Sequence, residues 1–345
     1  MKNIESKSHY LPQMKKHILL AALSCGVLFA AQAQQRPQYS QYMLNNFLLN
    51  PAVAGTSEHY DIKAGYRDQW SGFKDNADPN GTITNVAPRT FYASAHAHLG
   101  QHIGPYRGKH RNEPKNFHGL GALVVADKTG PTSRTSFYAS YAFNMKMAEN
   151  FRASVGAFVG AQQFKLDGTQ LRYKDPLLTI GEGITKTVPD ATLGIWLYGT
   201  EWYGGVSSHQ IFQNKLSFND GSVSIAGENK LSAHYFATAG YLFKASKDFK
   251  IIPSILVKYV SPTPVSFDVN LKTRYKDMVW VGASYRQDGS LVFLVGGVVK
   301  NLIEFGYAFD YTTSAIGKTY ASSHEVLVGV RLQPQGRVTS PSDFW

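Results

Sequence analysis

Hydrophobic and polar residues alternate with period 2 along most of this chain. The clearest case is residues 151–163, where apolar residues occupy every second position and mostly small or polar residues lie between them. Because successive side chains of a β-strand point to opposite faces, this pattern predicts a strand with one apolar face and one small-or-polar face. Such strands, about ten residues long, are typical of transmembrane β-barrels.

The same alternation recurs to the end of the chain and predicts about fourteen strands separated by turn signals. In the last two strands, acidic and basic residues share the face that alternates with Tyr, Phe and Val. Charges would be costly against lipid, so this face is predicted to line a polar lumen or to lie at strand ends. The predicted strands are residues 61–70, 90–100, 118–127, 133–147, 151–166, 190–200, 201–209, 231–244, 250–260, 264–275, 279–287, 291–300, 302–312 and 323–332, and the charged residues are Glu304, Asp310, Glu325 and Arg331.

Short and long connections alternate between the predicted strands. Outer-membrane barrels have short periplasmic turns and longer external loops, so both termini are predicted to lie in the periplasm. The connection 101–117 departs from this order because it is long and basic on the periplasmic side. It indicates either a miscounted strand or a loop that contacts a periplasmic partner. The short turns are 148–150, 199–200, 246–248, 276–277 and 300–301, and the long connections are 71–89, 168–189, 210–230 and 313–322.

Residues 1–33 have the features of a signal peptide. Lys15 and Lys16 precede an apolar run over residues 18–31, and Ala31-Gln32-Ala33 is a small-x-small cleavage site. Met14 is an alternative start, since residues 1–13 are polar. A membrane anchor is the competing interpretation, but the run is shorter than the roughly 20 residues that a spanning helix needs.

Composition favours a membrane sheet over a helical enzyme or a soluble sandwich. Charged residues make up only 17% of the chain, whereas it contains 31 Gly, 20 Tyr and 20 Phe, as lipid-facing strands with aromatic girdles require. A soluble β-sandwich would also alternate, but its outer face should be charged. The only cysteine, Cys25, lies in the signal segment, so no disulfide is predicted in the mature chain.

The net charge of +11 includes +3 from the signal segment, which has four lysines and one glutamate and leaves the mature chain near +8. In an exported membrane protein this charge favours lipopolysaccharide or an acidic protein as partner, and we predict no nucleic-acid binding.

No catalytic residue, cofactor site or metal site is predicted. His96 and His98 share a strand face at a spacing that two metal ligands could use, but no third ligand is evident, and polar lumen residues are the favoured interpretation. A barrel hydrolase is a further alternative, although no nucleophile motif frames its candidate residues. These are His118, His209, His234 and His324.

Two regions are candidates for partner contact. The segment before the first strand is too aromatic and Asn-rich for a flexible linker, so it must be buried, either in the barrel mouth or against a partner. The basic connection 101–117 could bind an acidic partner or remain a solvated loop. The candidate residues are Tyr39, Tyr42, Phe47, Asn50 and Pro51 in the first region, and Arg107, Lys109, Arg111 and Lys115 in the second.

Three ordered motifs and the C-terminus carry a resemblance to a known family. The motifs are residues 37–56, which read PQYSQYMLNNFLLNPAVAGT, residues 66–73, which read YRDQWSGF, and residues 323–331, which read SHEVLVGVR; the chain ends SPSDFW. Together they resemble the PorP/SprF family, outer-membrane proteins of the type IX secretion and gliding motility system of Bacteroidetes. The tail lacks the basic residue expected before its last aromatic residues, and connection 101–117 resembles an insertion.

The resemblance implies a barrel that assists delivery or surface anchoring of a cargo protein, such as an adhesin, exported by the type IX route. Its implied partners are that cargo, other secretion components in the periplasm and outer membrane, and lipid with lipopolysaccharide. A general porin or small-solute channel is the alternative function. The predicted layout is a signal peptide at 1–33, a periplasmic segment at 34–60, an outer-membrane β-barrel at 61–332 and a C-terminal periplasmic tail at 333–345.

Overall fold

A computed structural model describes most of the chain beyond residue 35. The described residues are 36–71, 74–75, 84–99, 115–168, 183–216, 230–313, 322–334, 340–341 and 344. All of them belong to the second of two units, Arg36–Trp345. The predicted signal peptide, including Cys25, lies outside the described residues. Within the described ranges, no helix is long and apolar enough to cross a membrane.

Fourteen long strands follow one another along the described chain. Strand β8 is interrupted at Leu242 and resumes as Phe243–Lys244, and a two-residue pair, Lys74–Asp75 with Thr84–Asn85, lies outside the main sheet. The strands are β1 His59–Asp68, β2 Arg89–Leu99, β3 Asn116–Thr129, β4 Thr132–Ala148, β5 Phe151–Leu166, β6 Ile184–Tyr198, β7 Trp202–His209, β8 His234–Tyr241, β9 Phe249–Val260, β10 Ser266–Tyr275, β11 Val279–Arg286, β12 Ser290–Val299, β13 Ile303–Thr312 and β14 Ser322–Pro334.

The strands close into one antiparallel barrel. Each strand pairs with its neighbour in sequence, and the ring closes where β1 pairs with β14 from Tyr60 opposite Leu332 to Asp68 opposite His324. The other half of the ring is continuous through β8, which pairs with both β7 and β9. No sheet edge is left open, which is the condition for strands to span a bilayer. The predicted transmembrane antiparallel barrel of about fourteen strands is confirmed.

The two faces of the strands differ as the alternation predicts. On β5, Val159 is 63% exposed on the outside of the barrel, whereas Arg152, Ser154 and Gln162 are fully buried inside it. Tyr, Phe, Val and Leu cover the outer face of the other strands, whereas the lumen is lined by polar and charged residues together with buried apolar ones such as Trp196 and Leu327. The wall is therefore apolar outside and mixed inside, with the charges on the inner face, as in outer-membrane barrels.

All the predicted strands correspond to observed ones, and the main difference lies in β6. This strand begins at Ile184, whereas the sequence pattern predicts a start at residue 190. The sequence pattern predicts Pro189 as the last residue of the long connection 168–189, and proline lacks the N–H that a strand ladder uses. In the structure Pro189 lies opposite Ala161 inside a strand pair that continues to Leu166.

The turns between β4 and β5, β6 and β7, β8 and β9, β10 and β11, and β12 and β13 are short and meet at one end of the barrel, which we call the short-turn end. Because the strand count is confirmed, the end of β2 and the start of β3 also lie at this end. The opposite end, at which the strands flanking most of the longer connections end and begin, is called the long-loop end.

A segment of the chain before β1 fills the lumen. Residues 39–57, called the lumenal segment below, are all buried and contain three short 3-10 helices, Tyr42–Leu44, Asn46–Leu48 and Pro51–Val53. A barrel of this size is too wide for its own side chains to fill, since about eight strands already enclose a side-chain-filled core. The segment supplies the missing apolar volume.

The lumenal segment runs from one end of the barrel to the other. At its start, Gln38 accepts a hydrogen bond from Arg286, the last residue of β11, at 3.3 Å. At its end, Ser57 O lies 3.3 Å from Nδ1 of His98, near the end of β2. Arg286 belongs to the long-loop end and His98 to the short-turn end, so the segment crosses the whole lumen before β1 begins.

Candidate functional site

Aromatic side chains of the lumenal segment pack against the inner wall. Phe47 is fully buried, with its ring centroid 4.8 Å from that of His96 and 5.0 Å from that of Phe158. Nearer the long-loop end, the rings of Tyr39 and Tyr92 meet edge to face at 5.2 Å. Buried aromatic pairs of this geometry stabilise the packing beyond the area that they bury.

Asn50 anchors the third 3-10 helix to the wall. Its side-chain oxygen accepts from Ala52 N at 2.9 Å, which caps the helix that Pro51 begins. Its amide nitrogen donates to the carbonyl oxygens of Ile195 at 2.9 Å and Val206 at 3.1 Å. One side chain therefore links a helix start to two neighbouring strands of the barrel.

Two glycines of the wall allow the segment to approach this closely. A Cβ atom at Gly156 would lie 2.6 Å from Ala52 N, and one at Gly194 would lie 2.0 Å from Oδ1 of Asn50. Both distances are below van der Waals contact, so a larger residue at either position would displace the third helix. At these two positions the inner wall leaves room for the lumenal segment because glycine has no side chain.

A charged cluster holds the segment at the long-loop end. Arg67 of β1 lies 2.7 Å from a carboxylate oxygen of Asp310 and 3.4 Å from one of Glu325, and all three side chains are buried. Arg67 also donates to the Ser40 hydroxyl. Ser40 in turn donates through its hydroxyl to Asp310 at 2.7 Å and through its backbone N–H to Glu325 at 2.6 Å. The segment thus belongs to the ion-pair network.

Glu325 is the most heavily bonded acid of this cluster. Besides Arg67 and Ser40, it accepts from the Tyr92 hydroxyl at 2.9 Å and from Gln41 N at 3.3 Å. Hydrogen bonds to an ionised acceptor are about twice as strong as neutral ones. The carboxylate is therefore compensated by a cation, a phenol and two backbone amides.

The cluster continues around the inner wall. Arg286 lies 3.4 Å from Asp310 and 3.6 Å from Asp268, and Lys258 lies 2.8 Å from Asp268. Asp268 is paired with cations on both adjacent strands, whereas the two cations at Asp310 lie two strands away on either side. A network of this kind fixes the relative positions of the groups that it connects.

A second charged cluster lies toward the short-turn end. Lys63 is 3.0 Å from Asp61 and 3.8 Å from Glu304, and Arg331 is 2.9 Å from Glu304. His96 Nε2 lies 3.9 Å from Asp61. These groups join β1, β2, β13 and β14, so the seam where the barrel closes is bridged by buried charges.

The described residues of the C-terminal tail pack into the lumen at the short-turn end. Ser340 donates to Thr56 O at 2.6 Å, and the Phe344 ring meets the Tyr203 ring edge to face at 4.9 Å. Lys272 donates to the backbone oxygen of Phe344. Phe344 is 1% exposed, so the tail extends the same buried core.

The predicted partner-contact residues divide into two groups. Tyr39, Tyr42, Phe47, Asn50 and Pro51 come together inside the lumen. Lys115 is exposed at the short-turn end, where its carbonyl oxygen accepts from Lys146 N at 2.8 Å. Whether these residues contact a partner stays a prediction. The other basic residues, Arg107, Lys109 and Arg111, lie outside the described residues.

The candidate histidines do not all share a site. His209 and His234 lie opposite each other on β7 and β8, and both rings contact the Phe236 ring. His118 and His324 lie on the outer face, each 2.7 Å from a tyrosine hydroxyl, while His209 is buried in the lumen beside the Leu49 carbonyl. His96 and His98 contact the lumenal segment at Gly55 and Ser57. Within the described residues, no group of three or more His, Cys, Asp or Glu could hold a metal ion.

Sequence reasoning identified the acids of the lumen but not their partners or the role of the tail. The alternation assigns Asp310 and Glu325 to the inner face, and Arg67 lies in a motif noted only for its resemblance. Pairing them requires the register between β1, β13 and β14. Phe344 is an aromatic residue outside the predicted strands. The same feature predicted burial of the lumenal segment and could have predicted burial of the tail.

The charged cluster leads to a testable expectation. We expect Asp310→Asn to lower the free energy of unfolding by about 3 kcal/mol, because it leaves Arg67 and Arg286 buried with one acid fewer. Urea unfolding of the protein in lipid vesicles measures this change. Hydrogen exchange should show faster exchange at residues 39–41.

Asp248→Asn is the matched control, because Asp248 is exposed in a short turn. We expect it to change stability by less than about 0.5 kcal/mol. Equal stability of the two variants would contradict the role assigned to the cluster.

Solved barrel structures resemble this fold distantly. The toluene transporter TbuX of Ralstonia pickettii matches with a TM-score of 0.46 and 11% identity, covering 85% of this chain and 93% of that one. The P. putida toluene transporter TodX matches with a TM-score of 0.47 and 10% identity, covering 87% and 95%. A Pseudomonas aeruginosa FadL homologue matches with a TM-score of 0.45 and 10% identity, covering 86% and 95%.

Sequence comparison gives a more specific result. No curated protein matches the chain. The model of the family described as type IX secretion system membrane protein PorP/SprF matches residues 31–330. This range includes the lumenal segment, all strands through β13 and most of β14. The chain therefore belongs to the PorP/SprF family of type IX secretion membrane proteins.

Proposed function

We propose that this protein acts without catalysis as an outer-membrane accessory of type IX secretion, which assists the delivery or surface anchoring of a cargo protein such as an adhesin. The observation that carries the proposal is the filled lumen. Residues 39–57 are buried along its length and are held by the Arg67 cluster and by Asn50. A barrel filled in this way is suited to holding partners at its ends.

The partners follow from the two ends of the barrel. The long loops would contact the cargo at the cell surface, and the short-turn end would contact other secretion components in the periplasm. The C-terminal tail belongs to the short-turn end. Family membership supports association with the secretion system. The contact of a cargo protein with the long loops is our proposal.

Deleting the gene tests the secretion role. We expect one or a few surface or secreted proteins to be lost from their normal location while the others are unaffected. Proteomic comparison of cell-surface and culture-medium fractions measures this, and a strain complemented with the wild-type gene is the control. Normal location of every exported protein would refute the proposal.

A general porin is the alternative, and the lumenal segment argues against it. In planar bilayers we expect the intact protein to show no steady ion conductance, because the segment and its side chains occupy the path. A general porin reconstituted in parallel is the positive control. Steady conductance of comparable size from the intact protein would favour the channel function.

We also propose that the N-terminal end of the lumenal segment faces the cell surface, in place of the periplasmic location that the strand count predicts. Gln38 bonds to Arg286 at the long-loop end, and Arg36 contacts His209 at the end of β7. If the long loops lie outside the cell, as in other outer-membrane barrels, Arg36 lies at the cell-surface end of the lumen. The C-terminal tail remains periplasmic in this proposal.

Cysteine labelling tests this orientation, because residues 36–345 contain no cysteine. We expect a membrane-impermeant maleimide to label Pro37→Cys on intact cells, since this residue is half-exposed at the long-loop end. Gln287→Cys in an exposed turn at the same end is the positive control. Lys247→Cys at the short-turn end should be labelled only after lysis, and the same behaviour at Pro37→Cys would refute the proposed orientation.

A further inference from the structure

The outer face of β1, β2 and β3 contains a furrow. Its volume is about 720 Å³, and small side chains line its floor, namely Ala95, Ala97 and Ala122. Ile62 and Leu120 stand beside it and are 41% and 44% exposed. A flexible apolar chain can lie in such a depression and contact atoms on more than one side, which a flat wall does not allow.

Cations and hydroxyls occupy the same outer face near the long-loop end. Arg89 of β2 is paired in register with Lys128 of β3, which faces Ser133 of β4, and Ser133 faces Lys165 of β5. Lys165 faces Thr185 of β6. The three cations are exposed, and neighbouring strands lie about 4.8 Å apart. We call these five residues the cation row.

Among the residues that the structure describes, acids compensate only part of the positive charge in the cation row. Arg89 Nε lies 3.5 Å from Asp68 Oδ1, in an ion pair that is partly exposed. Lys128 and Lys165 form no ion pair with any residue in the described part of the chain. Exposed pairs contribute at most about 1 kcal/mol, so Arg89 can also turn toward an added anion.

The end of the furrow nearest the cation row lies about one membrane leaflet away from it. The furrow continues toward the short-turn end, to Ala97 and Leu120, which lie eight positions from Arg89 and Lys128. Its nearest residues are Ala95, six positions from Arg89 on β2, and Ala122, six positions from Lys128 on β3. At about 3.3 Å per residue this is roughly 20 Å along each strand. Strands tilted by about 40° reduce it to roughly 15 Å along the membrane normal, which is half of a hydrocarbon core of about 30 Å.

We propose that this face binds an anionic glycolipid of the outer leaflet, with its phosphate groups on the cation row and the end of an acyl chain in the part of the furrow nearest that row. The proposal rests on the orientation inferred above, with the long loops at the cell surface. An acidic protein would match the charges, but the furrow lies at the depth of the hydrocarbon. An amphiphile with phosphates above acyl chains fits both features.

Native mass spectrometry of the full-length protein in detergent tests the site, with diphosphorylated lipid A, dephosphorylated lipid A and phosphatidylcholine as probes. We expect the diphosphorylated lipid to bind about tenfold more tightly than the dephosphorylated one, which corresponds to 1.4 kcal/mol of charge-assisted contact. Equal affinity for the two forms of lipid A would overturn the proposal. The assay needs no cargo, so its outcome is independent of the secretion phenotype.

Variants separate the two parts of the site. Lys128→Gln with Lys165→Gln should reduce binding of the diphosphorylated lipid about tenfold and leave the dephosphorylated lipid unchanged. Ala97→Leu with Ala122→Leu should weaken both lipids, since it fills the furrow. Lys247→Gln with Lys300→Gln removes the same charge at the short-turn end and should have no effect.

Two results would refute the site. If the cation variant bound the diphosphorylated lipid as tightly as the wild-type protein does, the cation row would contact an acidic protein or solvent rather than lipid phosphates. An equal loss in the short-turn control would show that overall charge, rather than this face, attracts the lipid. Heat-modifiable migration on gels verifies that each variant forms a barrel, and Ala97→Val alone replaces the furrow variant if that one does not fold.

Discussion

The pairing of buried charges in the lumen is the constraint on which the rest of this structure depends. Fourteen strands enclose a space whose inner face carries several acids and bases, and a charge left unpaired there would be strongly destabilising. Arg67 connects Asp310 and Glu325 across the closing seam, and Ser40 completes their coordination from the lumenal segment. The residues that close the barrel and the residues that fill its lumen therefore belong to one network of ion pairs and hydrogen bonds.

This arrangement bears on how the barrel can work. The lumenal segment lies against Gly156 and Gly194 so closely that side chains at those positions would collide with it. Phe344 of the tail is also buried in the lumen, against Tyr203. Described residues from both sides of the strand-forming region thus fill one lumen, and the surfaces left for partners are the ends of the barrel and its outer wall.

Much of the fold follows from local sequence because a barrel strand is a local pattern. Alternation alone identified each strand, including β5, in which Val159 faces outward and Gln162 inward. It failed at the start of β6, where Pro189 lies in a strand. There the tertiary pairing with Ala161 outweighs the local preference of proline for turns and strand edges.

The site was less accessible to sequence reasoning. The aromatic and Asn-rich composition of the lumenal segment showed that Tyr39, Tyr42 and Phe47 must be buried, since such residues are not stable as a solvated linker. The composition did not show where these residues are buried, because burial inside the barrel and burial against a partner need the same composition. The distances from Asn50 to β6 and β7 join residues about 150 positions apart.

The sequence by itself thus determined the strands, their inward and outward faces, and the family that the chain belongs to. Each of these depends on neighbouring residues or on short motifs. Only the tertiary structure decided that the segment before β1 crosses the lumen, that Arg67 pairs with Asp310 and Glu325, and that Phe344 of the tail is buried at the short-turn end. These contacts depend on strand register and barrel closure, which bring distant parts of the chain together and leave no trace in local periodicity.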